Sequence, residues 1–466
     1  MCHGLKDARL AGPGIRRVIL FIAIVSSFIT PFDGSAVNIA LPAIGEEFSL
    51  DAVTLSWITT SYLLTISVFL VPFGKLADIR GRKRVFLAGI TLFSCASLLV
   101  SFSTGAFWLI AFRLLQGAGC AMIFGTSLAI LSSVYPPGER GKALGITIAA
   151  VYVGLSLGPF LGGIMTETLG WRSIFLVNVP LGIACVFLTL RKVPAEWREA
   201  AGERFDYAGS LLWGASLVSL IYGLSLLPGT AGIILVLLGV AFLLAFAAFE
   251  LRVPFPVLSM QLFLANRVFA FSNLAALINY SATYAVTFLL SLYLQVARDL
   301  PADYAGLILV AQPVTQALFS PLAGRLSDRV DPGRVATLGM VFVVTGLFFL
   351  GFLGRDTPIP HIIACLVILG TGFGIFSSPN TNAIFGSVEK RLYGVASGMV
   401  GTMRLLGQMF SMGIALTIFA LFIGRQELKD AEPSLLIGSL DTAFFVFFCL
   451  CCLGIAFSLV RSKRTA

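Results

Sequence analysis

Asp33 and Arg113 are charged residues inside long apolar runs, where ionised side chains are rare. Asp33 lies near the middle of the first such run, and Arg113 lies in the fourth together with Gln116. An ionised carboxylate at the centre of a bilayer costs about 2.5–3.5 kcal/mol on insertion scales, so residues of this kind are usually functional. We expect the Asp33 carboxyl to bind a proton from one side of the membrane, release it to the other and attract a cationic substrate. The alternatives are that Asp33 is a structural carboxylate, hydrogen-bonded to Ser35 or nearby backbone, and that Arg113 is a structural counter-charge.

The composition indicates that most of the chain lies in lipid. Of its 466 residues, 58% are hydrophobic and 12% are charged, and the mean hydropathy is +0.95. Soluble domains carry about 25% charged residues. The net charge of +9 could indicate a nucleic-acid partner. However, the basic residues cluster in short segments between apolar runs, as membrane topology requires, so we expect a lipid bilayer and no nucleic acid.

Fourteen apolar runs are long enough to cross a bilayer, which takes about 20 residues per helix. Backbone polar groups in lipid must be satisfied within the segment, so we predict helices rather than open strands. These predicted spans, numbered 1 to 14 in chain order, are 17–41, 53–74, 84–104, 106–134, 142–166, 173–191, 207–227, 231–251, 268–296, 304–324, 335–354, 360–384, 395–424 and 440–460.

The basic residues test this count independently. With the N-terminus inside, 25 of the 32 lysines and arginines fall on the cytoplasmic side and 5 on the outer side. Arg113 and Arg404 are the two that remain within spans. The bias matches the positive-inside rule for an even number of spans. We therefore predict a multi-pass protein of a prokaryotic plasma membrane with both termini in the cytoplasm.

A short internal echo indicates a duplicated architecture. The sequence Gly74-Lys-Leu-Ala-Asp78 after span 2 recurs as Gly324-Arg-Leu-Ser-Asp328 after span 10. Two six-helix halves would place the copies six spans apart, so spans 7 and 8 are the surplus pair. The predicted organisation is a tail (1–16), a first bundle (17–191), a cytoplasmic linker (192–206), two additional spans (207–251), a second bundle (268–460) and a tail (461–466).

Several patterns resemble signatures of the major facilitator superfamily, specifically its fourteen-span drug:proton antiporter branch. The match covers nearly the whole chain in the correct order. The patterns are Asp33-Gly-Ser-Ala-Val-Asn38-Ile-Ala-Leu-Pro42, Gly74-Lys-Leu-Ala-Asp78-Ile-Arg80-Gly81-Arg82-Lys-Arg84, Arg113-Leu-Leu-Gln116-Gly117-Ala-Gly119, Gly154-Leu-Ser-Leu-Gly158-Pro159-Phe-Leu-Gly162-Gly163, and Trp171-Arg172 with Asn178-Val-Pro180.

This resemblance implies an all-α fold of two six-helix bundles with two extra central helices, alternating access and proton coupling. It implies that Asp33, Arg113 and Gln116 couple protons to substrate. The carboxylate of Asp78 can pair with nearby arginines or cap a helix, and we expect a clamp that opens when the inside opens. Positive-inside anchoring also acts on these arginines. The predicted clamp residues are Gly74, Asp78, Arg80, Gly81 and Arg82, with Asp328 and Arg329 as the weaker copy.

The glycines of span 5 recur every four residues and leave one face of the helix bare. Gly154, Gly158 and Gly162 would let another helix approach closely, and Pro159 removes a backbone donor. The family context favours a rocking contact between the two bundles. Generic packing of small residues is the alternative, because such spacing is common in membrane helices.

Amide and aromatic residues within spans could line a substrate cavity, although interhelical hydrogen bonding is the stronger interpretation for them. Arg404 is expected near the cytoplasmic end of span 13, with a structural role. Asp206 and Asp441 are expected to begin spans 7 and 14. The possible cavity residues are Asn38, Asn273, Asn279, Tyr280, Tyr284 and Asn380.

We therefore expect a proton-driven exporter of small lipophilic, often cationic compounds, and as the alternative a transporter of one specific metabolite. We expect no cofactor besides the coupling proton, no metal site, and a monomer. A membrane enzyme would need clustered acids, histidines or a metal, but the chain has only two histidines. The sequence has no Gly-x-x-x-x-Gly-Lys-Ser/Thr loop for ATP. A channel would not need the duplicated clamp.

Overall fold

The structure is a computed structural model that describes residues 12–135, 137–254, 256–258, 260–327, 329–388, 393–424 and 433–462. These residues form helices and connecting loops, with no extended strand among them. Thirteen helices in this part of the chain are long and apolar enough to cross a membrane. The helix Pro137–Leu169, with 33 residues, lies at the position of the predicted span 5. The all-α prediction is confirmed, and each predicted span corresponds to a helix or to consecutive helical segments.

Spans 6, 9 and 10 are each broken into consecutive helical segments, and span 9 ends in a π-helical turn. A short helix, Met260–Ala265, precedes span 9. In order, spans 1 to 14 are Pro13–Phe48, Ala52–Arg80, Arg82–Ser101, Ala106–Val134, Pro137–Leu169, Arg172–Leu176 with Asn178–Lys192, Tyr207–Ser225, Thr230–Glu250, Arg267–Thr283 with Ala285–Leu292 and Tyr293–Ala297, Ala302–Leu309 with Ala311–Ser327, Pro332–Leu350, Ile359–Gly386, Tyr393–Phe422 and Pro433–Ser462.

Several helices extend beyond the apolar runs that predicted them. A helix continues for as long as its backbone groups are paired, whereas hydropathy marks only the part in lipid. At the start of span 2, the Asp51 carboxylate accepts hydrogen bonds from the amides of Val53 and Thr54 at 2.9 and 3.0 Å. The loop between spans 1 and 2 is therefore only three residues long.

Of the two acids predicted to begin helices, Asp206 does so and Asp441 does not. Asp206 caps span 7, because its carboxylate accepts the amide of Gly209 at 2.9 Å, as predicted. The prediction for Asp441 is wrong. The helix of span 14 begins at Pro433, ahead of its apolar run, and Asp441 lies more than two turns inside it.

Spans 1–6 pack into one bundle and spans 9–14 into another, and the two meet along spans 1 and 9, 2 and 13, and 5 and 10. At the predicted outer face, the Ser291 hydroxyl of span 9 donates to the backbone carbonyl of Asn38 in span 1 at 2.8 Å. The Gln295 amide of span 9 donates to the carbonyl of Ile39 at 3.0 Å. The outer ends of the two bundles are therefore in contact.

The two additional spans pair with each other, and span 7 contacts spans 2 and 13. The indole N–H of Trp213 donates to the carbonyl of Ser67 in span 2 at 3.0 Å. The Thr417 hydroxyl of span 13 donates to the carbonyl of Leu224 at 3.1 Å. Span 7 thus bonds to both bundles and covers the line along which spans 2 and 13 meet.

Candidate functional site

The structure brings the three predicted coupling residues into direct contact at the centre of the first bundle. Arg113 Nη1 lies 2.6 Å from Asp33 Oδ2 and donates to Gln116 Oε1 at 2.6 Å. Gln116 Nε2 donates to Asp33 Oδ1 at 3.0 Å. All three side chains are fully buried. Arg113 and Gln116 are three residues apart and therefore lie on the same face of span 4. A single close contact between spans 1 and 4 brings both side chains to Asp33.

Two further side chains complete this network, and the sequence interpretation did not assign them to it. Asn178 Nδ2 donates to Asp33 Oδ1 at 2.8 Å, and Gln116 Nε2 also donates to the Ser97 hydroxyl at 2.8 Å. Asn178 begins the second segment of span 6, so the break after Val177 places it beside span 1. The signal for Asn178 was present in the Asn178-Val-Pro180 pattern. No pattern singled out Ser97.

Arg113 is held by carbonyl and aromatic groups as well as by the carboxylate. Its Nε donates to the carbonyl of Ile58 at 3.2 Å, and its guanidinium carbon lies 4.0 Å from the centroid of the Tyr62 ring. Its Nη2 has no hydrogen-bond partner among the described residues. A buried ion pair survives only when its remaining donors and acceptors are largely satisfied. The network meets most of that requirement.

Protonation of Asp33 would change the charge balance of the first bundle. With Asp33 ionised, its charge and that of Arg113 cancel inside a fully buried site. A proton on Asp33 would remove the negative charge and leave the guanidinium without a counter-charge, held by the Gln116 side chain, the Ile58 carbonyl and the Tyr62 ring. An uncompensated buried charge is costly, so protonation would favour a rearrangement that lets water or another anion reach Arg113.

The glycines of span 5 face span 1 within the first bundle rather than the second bundle, which corrects the expected rocking contact. A Cβ atom at Gly154 would lie 2.6 Å from the carbonyl oxygen of Phe28, and one at Gly158 would lie 2.6 Å from the Cβ atom of Ser35. A Cβ at Gly162 would lie 2.8 Å from that of Ala36. The bare face therefore sets the approach of spans 1 and 5 beside Asp33. Periodicity could not show which neighbour the stripe would meet.

The contact between bundles uses other atoms of the same motif. A side chain at Gly306 in span 10 would collide with the backbone carbonyl of Pro159. A Cβ atom at Gly163 would lie 2.5 Å from the carbonyl oxygen of Ala302, at the start of span 10. Spans 5 and 10 thus touch backbone to backbone through Gly163 and Gly306 at the predicted outer face. Neither was among the predicted site residues.

Arg82 is the centre of the predicted clamp. It is nearly buried, and its Nε lies 2.8 Å from Asp78 Oδ1. Its Nη1 lies 2.7 Å from Glu199 Oε1 and donates to the Ser133 hydroxyl of span 4 at 2.9 Å. The predicted pairing of Asp78 with a nearby arginine is present, and the linker supplies a second carboxylate that the sequence interpretation did not foresee.

The linker between the first bundle and span 7 lies along the same face. Gly81 has a φ of 121°, and a Cβ atom there would lie 2.5 Å from the Glu196 carboxylate carbon. Glu196 accepts the amide of Lys83 at 2.8 Å, and Lys75 Nζ lies 2.5 Å from Glu203 Oε2. Glycine is required at position 81 because the chain turns there with positive φ against a linker side chain.

The remaining clamp residues are less engaged. Gly74 packs against Gly125 of span 4, where an added Cβ at position 125 would lie 3.3 Å from the Gly74 Cα. Arg80 and Arg329 are exposed, and no described ion pair includes either. Asp328 lies outside the described residues.

Removing the Arg82 charge should loosen the linker. In an Arg82→Gln variant, Asp78 and Glu199 lose their shared partner, and we expect trypsin to cut after the exposed Arg198 up to about fivefold faster, because partly exposed ion pairs contribute about 1 kcal/mol or less. Limited proteolysis of the purified protein measures this rate. The exposed Arg80→Gln variant is the matched control and should leave it unchanged. Equal cleavage of both variants would contradict the assignment.

Most of the predicted cavity residues are instead buried between helices. Thr59 donates to Asn38 Oδ1 at 3.2 Å, joining spans 1 and 2, and Asn380 Nδ2 donates to the carbonyl of Ser272 at 3.1 Å, joining spans 12 and 9. Asn273 and Asn279 are fully buried within span 9. These four side chains do not line an open cavity in this conformation, which favours the packing interpretation. Tyr280 and Tyr284 are only half-buried, unlike the four asparagines.

The chain is similar to known membrane transporters along nearly its whole length. The model of the Major Facilitator Superfamily matches residues 23–412 and 272–466. Riboflavin transporter RibZ of Clostridioides difficile (strain 630) is 32% identical over 96% of this chain and 98% of its own. The cephamycin export protein CmcT of Amycolatopsis lactamdurans is 31% identical over 89% of this chain and 87% of its own.

A solved structure shows the same fold. A bacterial homologue of the human lysosomal transporter Spinster, in an inward-facing and unoccupied conformation, superposes with a TM-score of 0.70 at 16% identity. The match covers 97% of this chain and 98% of that one. Family match, relatives and fold agree, and the chain belongs to the Major Facilitator Superfamily of membrane transporters.

Proposed function

We propose that this protein is a proton-coupled antiporter that exports small lipophilic organic compounds by alternating access, in a bacterial plasma membrane with both termini cytoplasmic. The observation that carries the proposal is the fully buried contact of Asp33 with Arg113 in the first bundle. One arginine balances the charge of this carboxylate, so proton binding to Asp33 would change the electrostatic balance of the whole bundle. The resemblance of span 5 to the antiporter signature and the similarity to an export protein support the direction of transport.

The expected preference for cations loses its support, because Asp33 has no exposed surface and three donors already occupy its oxygens. An acid in this arrangement cannot attract a cationic substrate unless the network first opens. We therefore infer a lipophilic substrate and assign Asp33 to the proton.

Transport of one specific metabolite is the second candidate, because RibZ, at 32% identity, is a riboflavin transporter. Purified protein in vesicles with an acidic lumen separates the candidates. A multidrug antiporter should accumulate both the neutral lipophilic compound chloramphenicol and riboflavin as protons leave, without ATP. A dedicated transporter should move only riboflavin or neither, and dissipating the pH gradient should abolish accumulation in the antiporter case. Accumulation that ignores the gradient would contradict proton coupling.

A further inference from the structure

Arg404 of span 13 lies between the two bundles and has no acidic partner among the residues that the structure describes. It lies within the membrane-spanning part of the helix and is half-buried. None of the described ion pairs includes it. Its guanidinium carbon lies 5.9 Å from the centroid of the Phe124 ring, which belongs to span 4 of the other bundle. A charged residue at this depth normally finds a counter-charge, carbonyl groups or water, so an anionic ligand could supply the counter-charge that the described residues do not.

Aromatic rings and hydroxyl groups surround Arg404. Tyr280 of span 9 lies within electrostatic range of Arg404 and close to Ser377 of span 12. Its ring meets that of Phe373 edge-on, with centroids 5.1 Å apart. The Tyr152 hydroxyl of span 5 lies 3.3 Å from that of Ser377. The two bundles thus both contribute to one group of buried and half-buried polar and aromatic side chains.

The electrostatics of this group favour a negative ligand. Asp33, the carboxylate in the middle of span 1, is fully buried and paired with Arg113, so it adds no exposed negative charge. Within the described part of the chain, Arg404 therefore places a positive charge next to apolar rings with no carboxylate paired to it. A guanidinium forms strong paired hydrogen bonds to a carboxylate, and the rings of Phe124 and Tyr280 offer faces for a planar aromatic body.

We propose that the side chains around Arg404 form a binding site for planar aromatic anions, with the carboxylate of the ligand on the guanidinium and its ring between Phe124 and Tyr280. This proposal rests on the proposed function in naming a substrate class for it. Because spans 4 and 5 lie in one bundle and spans 9, 12 and 13 in the other, a bound ligand would connect the two bundles.

Equilibrium binding to purified full-length protein in lipid nanodiscs tests the site without requiring transport. The probes are 2-naphthoate and 2-naphthylmethylamine, which share a ring and differ in charge. We expect the wild type to bind the carboxylate at least about tenfold more tightly than the amine, since bonds to charged groups are worth about one decade in affinity. The Arg404→Gln variant should lose that difference, and Arg404→Lys should keep part of it.

The exposed Arg252→Gln variant, after span 8, is the matched control and should bind both probes as the wild type does. A Phe124→Ala variant, which keeps the charge, should weaken binding of both naphthyl probes and so tests the site even if Arg404→Gln does not fold. Equal binding of the two probes to the wild type, or unchanged naphthoate binding by Arg404→Gln, would overturn the proposal. Naphthoate binding without proton-driven transport would contradict the proposed function and leave this site standing.

Discussion

An Asp33→Asn variant should lose proton-driven accumulation of substrate entirely, down to the level of vesicles without protein. The amide cannot be ionised, so Arg113 would keep a positive charge that no neighbouring carboxylate cancels. Removing one partner of a buried ion pair typically costs about 3–5 kcal/mol of stability, so the variant should also denature at a lower temperature. Accumulation driven by an imposed pH gradient and thermal denaturation of the purified protein measure the two effects.

A double variant separates lost coupling from lost folding. Asp33→Asn combined with Arg113→Gln removes both charges, and we expect it to recover most of the stability while remaining unable to use the pH gradient. Glu47→Gln is the matched control in the same helix. Glu47 pairs with Arg172 at 2.7 Å, but both side chains are more than one-third exposed, so the loss should be about 1 kcal/mol or less. Proton-driven accumulation at the wild-type rate in Asp33→Asn would show that Asp33 does not couple protons to transport.

A Gly163→Val variant should prevent the outer ends of the bundles from closing. The added side chain would meet the carbonyl oxygen of Ala302 and the Cα atom of Asp303, which lie 2.5 and 3.0 Å from a Cβ atom at that position. Backbone atoms cannot move aside as a flexible side chain can, so spans 5 and 10 must separate. We expect transport to fall at least about tenfold, because the proposed alternating access requires the outer face to close in each cycle.

The separation can be measured directly as a distance between spin labels on the two bundles. Phe102 and Phe352 are exposed residues at the predicted outer ends of spans 3 and 11, and cysteines introduced there in a background without native cysteines can carry the labels. Gly163→Val should shift the distance distribution to longer values. Gly398→Val is the matched control, because a Cβ atom there meets no other atom within 4 Å. An unchanged distribution in Gly163→Val would show that this contact does not hold the outer face closed.

The sequence alone determined the helical class and the superfamily, and it predicted fourteen spans, where the described residues contain thirteen helices long and apolar enough to cross a membrane. Lipid demands apolar runs of a fixed length and satisfies no backbone polar group, so hydropathy and the placement of lysine and arginine specify the topology directly. It also identified Asp33, Arg113 and Gln116, because a polar residue is conspicuous where the solvent is hydrocarbon. Apolar residues at the same depth carry no comparable signal.

Only the tertiary structure decided which groups these residues meet. The glycine stripe of span 5 was visible in the sequence, but that it faces span 1, and that Gly163 and Gly306 join the bundles, depends on how each helix is rotated about its axis. The partnership of Arg82 with Glu199 depends on the same rotation, and so does the lack of a described acid beside Arg404. Helical periodicity specifies the face on which a residue lies, whereas the packing of fourteen spans decides what that face contacts.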